Sequence, residues 1–332
     1  MLLSVVVPCY NEEPALAATH GRLSQALSGI DDLDYELIFV DDGSIDQTYS
    51  ELTALQHRDP RVRVLRLSRN FGHQIAVTAG LEECSGDAVV LIDADLQDPP
   101  ELIPEMVRLW RNGSHVVYGS RVSRDGEGRF KLFTAKAFYR VINRLSDTSM
   151  PVDTGDFRLM DRKVVDVLLR MPERGRYLRG MVSWAGFRQT PLPYKREPRR
   201  AGVSKYPLFK MVQFAMDGII SFSVLPLRLA ALTGLATIWL ALAGIIVAVI
   251  VRLLGLYDLR LGRGWASIFV AVLFMGGVQL LTLGVMGEYL GRIYTEVKRR
   301  PLYAVQERLG FSATEAGKNS AESHKHRENF AI

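Results

Sequence analysis

The chain has 332 residues, 48% of them hydrophobic, and carries a net charge of +5. That suffices to bury a full catalytic domain with apolar sequence left over. The charge is modest and no nucleic-acid motif accompanies it, so it suits phosphates and an anionic membrane leaflet rather than a nucleic acid. Two cysteines, Cys9 and Cys84, stand far apart without CxxC spacing, which points to neither a disulfide framework nor a thiolate metal site.

The opening MLLSVVVPCYNEE lacks a basic n-region and is interrupted by Pro8, Glu12 and Glu13. It is not read as a secretion signal, and the residues after it are expected to stay in the cytosol. Five β-rich runs follow one another at 3–8, 35–40, 62–67, 88–93 and 115–120. Helix-like segments at 12–28, 46–58, 73–84 and 101–111 lie between them. Continuous apolar strands alternating with helices predict an α/β domain, a parallel sheet covered on both faces. Ligands of such sheets bind beyond the carboxyl ends of the strands. Those ends are polar here: Pro8-Cys9-Tyr10-Asn11-Glu12, then Asp41-Asp42-Gly43-Ser44, then Asp93-Ala94-Asp95.

Residues 121–205 are more basic and less regular, and complete a cytoplasmic domain over 1–205. Over 206–228, Lys210, Gln213, Asp217 and Ser221 form one polar stripe on an otherwise apolar helix that starts near Pro207. Such a helix could pack in a core; next to a membrane span it reads as lying in the interface plane. No charge occurs from Leu229 to Val251 or from Trp265 to Met286. At about 33–35 Å as helices, these runs exceed a hydrocarbon core of about 30 Å. The predicted spans are 229–253 and 265–287, an antiparallel hairpin. Lys210, Arg228, Arg292, Lys298, Arg299 and Arg300 outside the hairpin outnumber Arg252, Arg260 and Arg263 at its turn. Both chain ends are therefore expected on the cytoplasmic side, with 288–332 a cytoplasmic segment, disordered from about residue 312.

The chemistry is concentrated in VVLIDADLQDPPE, residues 89–101. Asp93 and Asp95 would repel at short range unless a cation lies between or beside them. Hard divalent ions take oxygen ligands, one or two carboxylates plus substrate phosphates, and Gln97 could add a carbonyl oxygen. Pro99 and Pro100 stop the strand and stiffen its exit. A bare Asp-x-Asp is common; its position at the tip of a buried strand gives it weight.

VVVPCYNEE, VDDGSIDQT, SRNFGHQIAVTAG and DADLQDPPE, in this order and spacing, resemble glycosyltransferase family 2 with its GT-A fold. DTGDFRLMDRKV, AGVSKY and the C-terminal hairpin narrow the resemblance to polyprenyl-phosphate glycosyltransferases, of the dolichol-phosphate mannose synthase and bactoprenol glucosyltransferase kind. The resemblance implies that Pro8, Tyr10, Glu12 and Asp42 hold the nucleotide, that Asp93 contacts the nucleotide sugar and the ion, and that Asp95 and Gln97 hold Mg2+ or Mn2+. The residue chemistry agrees: acids accept from ribose hydroxyls and a uracil N–H, and an aromatic ring stacks on a base. Asp41-Asp42-Gly43-Ser44 would equally make an ordinary turn with an N-cap.

Arg199-Arg200-Ala201-Gly202-Val203-Ser204-Lys205-Tyr206 joins cations to a hydroxyl just before the interfacial helix. Arg forks and a Lys point charge suit phosphate oxygens, of a lipid acceptor or of headgroups. Arg121, Lys131, Arg200, Ser204 and Lys205 are the candidate acceptor-phosphate ligands. The family pattern has serine where this chain has Ala135, which removes one such contact. Asp156 matches the position proposed as general base. A phosphate monoester is mostly dianionic at pH 7, so Asp156 is expected first to position groups and only secondarily to act as a base. His73, after a glycine, is read as a helix-starting residue.

The implied reaction is inverting transfer of a hexose, glucose from UDP-glucose, to undecaprenyl phosphate at the bacterial inner membrane, by a homotetramer serving cell-envelope glycosylation. A mannosyl- or aminoarabinosyl-type transferase is the alternative. A processive synthase is disfavoured because no QxxRW segment occurs, and a dehydrogenase because no strand leads into GxGxxG. A non-catalytic partner of a lipid-sugar flippase would have no use for Asp93, Asp95 and Asp156.

Overall fold

The computed structural model describes residues 1–121, 154–195, 225–254 and 265–311. Each predicted β-rich run forms a strand: β1 (Leu2–Cys9), β2 (Asp34–Asp41), β3 (Val62–Leu67), β4 (Ala88–Leu91) and β5 (Val116–Arg121). Helices α1 (Glu13–Ser28), α2 (Thr48–Arg58), α3 (His73–Glu83) and α4 (Ile103–Arg111) separate them, a short 3-10 turn at Pro100–Leu102 leading into the last. Beyond the central run come β6 (Thr154–Asp161), α5 (Arg162–Arg170), α6 (Leu178–Trp184) and β7 (Gln189–Tyr194).

Alternation along β1 sends successive side chains to opposite faces. Val5 and Val7 pack with Leu16 and Leu23 of α1, Leu52 of α2 and Met106 of α4. Val6 packs on the other face with Ala76 and Val77 of α3, Leu168 of α5 and Met181 of α6. Helices therefore cover the sheet on both faces, as expected from strands without polar alternation.

The sheet is not purely parallel. It has eight strands in the order β7-β5-β6-β4-β1-β2-β3-β8, where β8 is Val305–Leu309. β1 pairs in parallel with β2 and β4, β2 with β3, and β5 with β7. β6 lies antiparallel between β4 and β5, and β8 lies antiparallel on β3. The predicted strands β4, β1, β2 and β3 do pair in parallel; the antiparallel strands lie outside the predicted runs, β6 in the basic region read as irregular. β8 arises in the segment after the spans, where Gln306, Glu307 and Arg308 hide the strand in a polar stretch. Tyr303 donates to Glu82 at 2.5 Å and Arg308 to Glu83 at 2.8 Å, fastening β8 to the end of α3.

β4 ends at Leu91, two residues before the predicted end, because the chain turns there. Leu96 is buried with φ of 57°, a left-handed conformation that a branched residue adopts at a cost of order 1 kcal/mol. The strained turn lies between Asp95 and Gln97, and Gln97 N–H donates to Asp95 Oδ1 across it.

The two long apolar helices form a separate unit. α7 (Leu225–Leu253) and α8 (Trp265–Val297) pack against each other. Leu227–Val247 and Ile268–Val297 are long and apolar enough to cross a membrane, and neither is buried within the fold. Core helices of soluble domains hide such faces; these expose Leu240, Phe274 and Leu280. Both boundaries differ from the predicted ones. α7 takes in 225–228, assigned above to the interfacial helix, since Pro226 is tolerated in a first turn. α8 runs past residue 287 because Glu288 and Arg292, 3.3 Å apart at i,i+4, continue the helix rather than end it. Residues 206–224, the connection 255–264 and the tail from 312 lie outside the described residues.

Candidate active site

The carboxyl ends of β1, β2 and β4, with the start of α3 and one end of β6, build one polar cluster. The loops after β1 and β2 are stitched together. Asn11 N–H donates to Ser44 Oγ at 3.0 Å, Ile45 N–H to Asn11 Oδ1 at 2.9 Å, and Glu12 N–H to Thr48 Oγ1 at 2.9 Å. Pro8 lies within β1 and is buried, while Tyr10 just beyond is 43% exposed, its ring open to a planar ligand.

Asp42 is buried and accepts from Phe71 N–H at 2.7 Å and Gly72 N–H at 2.9 Å. Burial raises its pKa, against those two donors. The approach requires Gly43: at φ of 70°, a Cβ there would stand 2.4 Å from the Arg69 carbonyl carbon. Asp42 thus braces the turn into α3 whatever else it binds. Asp41, fully buried, accepts from Ser44 N–H at 2.9 Å and faces Arg66 Nε at 3.5 Å.

At the tip of β4, Asp95 is buried and its Oδ1 accepts from Gln97 N–H at 3.1 Å. The Asp93 side chain is 34% exposed. Its pKa is pushed up to about 6, first by burial, with Asp156, Asp95 and Asp98 adding repulsion and His73 opposing. Negative charge is thus in surplus at this corner, which is what a divalent cation relieves. Asp93, Asp95 and Gln97 offer oxygen donors only, the set a hard ion prefers. Among the described residues no three His, Cys, Asp or Glu side chains form a metal-ligand group. An ion here would therefore rest on two carboxylates and complete its shell from a bound diphosphate.

Across from this corner stands Asp156, on β6. Its carboxylate receives Arg179 Nε at 2.8 Å and Nη2 at 3.2 Å, Gln74 Nε2 at 3.2 Å and His73 Nε2 at 3.4 Å. Arg158 lies 3.9 Å away, with its Nη2 donating to Gly155 O at 2.9 Å. Burial would raise the Asp156 pKa, but His73, Arg179 and Arg158 outweigh it and hold the group well below the usual carboxylate range. Burial likewise lowers the pKa of His73, and Asp156 and Asp93 more than restore it.

His73 begins α3 as expected, and its Nε2 also lies 3.7 Å from Asp93 Oδ1, so it bridges the two acids. Gln74 adds a second bridge, because its Oε1 accepts from Leu178 N–H at 3.1 Å where α6 starts. Gln74, Arg158 and Arg179 escaped the sequence reading. The strand period could have placed Arg158 on the face of Asp156; nothing local marks Arg179, 23 positions downstream.

Of the candidate acceptor ligands, Arg121 ends β5, beside Gly155. Lys131, Arg200, Ser204 and Lys205 lie outside the described residues. The structure brings together Asp93, Asp95, Gln97 and Asp156; Pro8, Tyr10, Glu12 and Asp42 line the adjoining β1 and β2 ends.

Residues 4–169, half of the chain, match glycosyl transferase family 2. The uncharacterized glycosyltransferase YkcC of Bacillus subtilis is 49% identical over 92% of this chain and 94% of its own. The SfII prophage-derived bactoprenol glucosyl transferase of Shigella flexneri is 41% identical over 92% of this chain and 98% of its own. A prophage bactoprenol glucosyl transferase homolog of Escherichia coli is 38% identical over 92% of this chain and 99% of its own. Such matches run well past the sheet domain and through both apolar helices. The chain belongs to glycosyltransferase family 2, its α/β domain being of the GT-A class.

Proposed function

We propose that this enzyme transfers glucose from UDP-glucose to undecaprenyl phosphate at the cytoplasmic face of a bacterial inner membrane, with inversion at the anomeric carbon. One observation carries the reading: the Asp93–Asp95 corner faces Asp156 and its cationic partners across His73, in a chain that also bears two membrane-length helices. The relatives named bactoprenol glucosyl transferases support a glucosyl group and a bactoprenol lipid as the transferred sugar and its acceptor.

In this reading Tyr10 stacks on the base, and Glu12 and Asp42 accept from nucleoside donors. A divalent cation, Mg2+ or Mn2+, held by Asp93, Asp95 and Gln97, would offset charge on the departing diphosphate. A lipid phosphate oxygen forms the new bond to the anomeric carbon as the bond from that carbon to the β-phosphate oxygen breaks. The bonding pair leaves with UDP. The two reactants are both anions, so cationic positioning contributes most; Arg121 serves it, with Lys131, Arg200, Ser204 and Lys205 as further ligands.

Asp156 is not the base in this scheme. Four donors occupy its carboxylate and its pKa is depressed, so it holds a proton poorly. The acceptor, with a second pKa near 6, is already mostly dianionic at neutral pH. Asp156 instead orients Arg179 and His73 beside the sugar.

The test is to incubate purified protein with undecaprenyl phosphate and a panel of labelled nucleotide sugars, with and without EDTA. Label from UDP-glucose should enter the organic phase in the absence of EDTA alone. Transfer from a mannose or aminoarabinose donor instead would change the sugar; transfer indifferent to EDTA would remove the ion; no transfer from any donor would overturn the reading.

A further inference from the structure

Arg121 and Tyr194 stand opposite each other in the parallel register of β5 and β7, at the carboxyl ends of both strands. The Tyr194 side chain is buried, edge-on to Phe157 with ring centroids 6.1 Å apart. Gly119 makes room for it, since a Cβ there would stand 2.8 Å from the ring. The Tyr194 hydroxyl donates to Asp98 Oδ1. Asp98 is 1% exposed and lies three residues past Asp95, on the same loop.

The same hydroxyl accepts from Arg121 Nε at 3.5 Å, the outer limit of a hydrogen bond. Gly155 clears space for the guanidinium, because a Cβ there would lie 2.9 Å from Nη2. A buried carboxylate requires compensation. Here the phenol answers it with a proton and passes the polarisation on, since a phenol that donates to an anion accepts better from a cation. Burial, then the charge of Asp98, pushes the Tyr194 pKa up to about 12, so the hydroxyl keeps its proton at any working pH.

We infer that Tyr194 and Asp98 are positioning residues for the acceptor, holding the Arg121 fork in its phosphate-receiving pose and tying that pose to the loop of Asp93 and Asp95. The inference rests on Arg121 as a ligand of the lipid phosphate. The chain Asp98–Tyr194–Arg121 spans three elements, so the loop that serves the donor and the cation that serves the acceptor share one anchor. Neither Tyr194 nor Asp98 need touch a substrate.

Steady-state kinetics on the full-length protein in detergent micelles tests this, with undecaprenyl phosphate and UDP-glucose varied separately. Tyr194→Phe keeps the ring and removes the hydroxyl. It should raise the acceptor KM about tenfold, equivalent to about 1.4 kcal/mol and in the range of one hydrogen bond to a charged group. The donor KM and kcat should stay near wild type, while Tm should fall by about 3–8 °C because buried Asp98 loses a donor. Asp98→Asn should move the acceptor KM the same way. In an Arg121→Ala background, Tyr194→Phe should add nothing, because the two act as one unit.

If Arg121→Ala leaves the acceptor KM unchanged, Arg121 is not the phosphate ligand and the underlying reading of this residue fails. If Arg121→Ala raises it and Tyr194→Phe does not, the positioning inference alone falls. A Tyr194→Phe variant that raises both KM values alike would make Tyr194 a core residue and overturn the inference too.

Discussion

Replacing Asp156 by Asn keeps the side chain's shape and removes its charge, which separates a positioning carboxylate from a general base. In the native site four donors converge on it at 2.8–3.4 Å. The amide cannot accept from all of them, and its NH2 would face at least one N–H. Breaking a buried charge pair costs about 3–5 kcal/mol. Arg179 keeps 27% of its side chain exposed and can regain water, so about 2–3 kcal/mol is expected, a fall in Tm on the order of 5–10 °C.

Because the Asp156 pKa is depressed on folding, its contribution is complete above the unfolded value of about 3.9 and is lost as pH falls through the folded one. The stability gap between wild type and variant should close in strong acid, and should also narrow as pH rises through the raised His73 pKa, because Asp156 helps to hold His73 protonated. Turnover should drop roughly a hundredfold through misplacement, with the acid limb of the pH profile still near pH 6, where the acceptor phosphate protonates. Differential scanning calorimetry and a pH–rate series on both proteins would measure this. If Asp156→Asn is as inactive as Asp95→Ala, or if its acid limb vanishes, Asp156 is a base and the ranking argued here is wrong.

Asp95→Ala should lower turnover by about a thousandfold or more and weaken Mn2+ binding in the presence of UDP, as titration calorimetry would report. Asp59, whose pKa is lowered to about 2 chiefly by its hydrogen bonds with Arg61, stabilises the fold above pH 4; Asp59→Asn should cost about 1–2 kcal/mol at pH 7, after discounting for the half-exposed arginine, and nothing below pH 2, by urea titration at both values. Arg308→Ala removes the ion pair between β8 and buried Glu83, and should lower Tm by about 3–6 °C. Arg in place of both Leu240 and Leu280, exposed on the two long helices, should cost about 3 kcal/mol of insertion each and shift the protein out of the carbonate-resistant membrane fraction.

Much of this architecture is legible in the sequence, for a local reason. β1 to β5 and the helices between them are written in periods of two and 3.6, which any short window contains. β6 and β8 are not so written. β6 gains its place from antiparallel pairing with β4 and β5 on either side, and β8 from an open edge of β3 more than two hundred residues earlier.

The site divides the same way. Asp93 and Asp95 announce themselves because two acids at a strand tip need an external cause. His73 looked like a helix start and is one, but a helix start laid over β1 also delivers its side chain between Asp93 and Asp156. Arg179 and Tyr194 carry no local mark at all, and their partners are fixed only when β6, α6 and β7 close round the strand ends.

The central claim is that the β4 tip holds a divalent ion and the donor diphosphate opposite Asp156. Crystals soaked with UDP-glucose and Mn2+ test it most directly, through anomalous diffraction at the manganese edge. The account predicts one strong peak at coordination distance from carboxylate oxygens of Asp93 or Asp95, with the diphosphate completing the shell. A bound nucleotide sugar with no anomalous peak at that corner would contradict it.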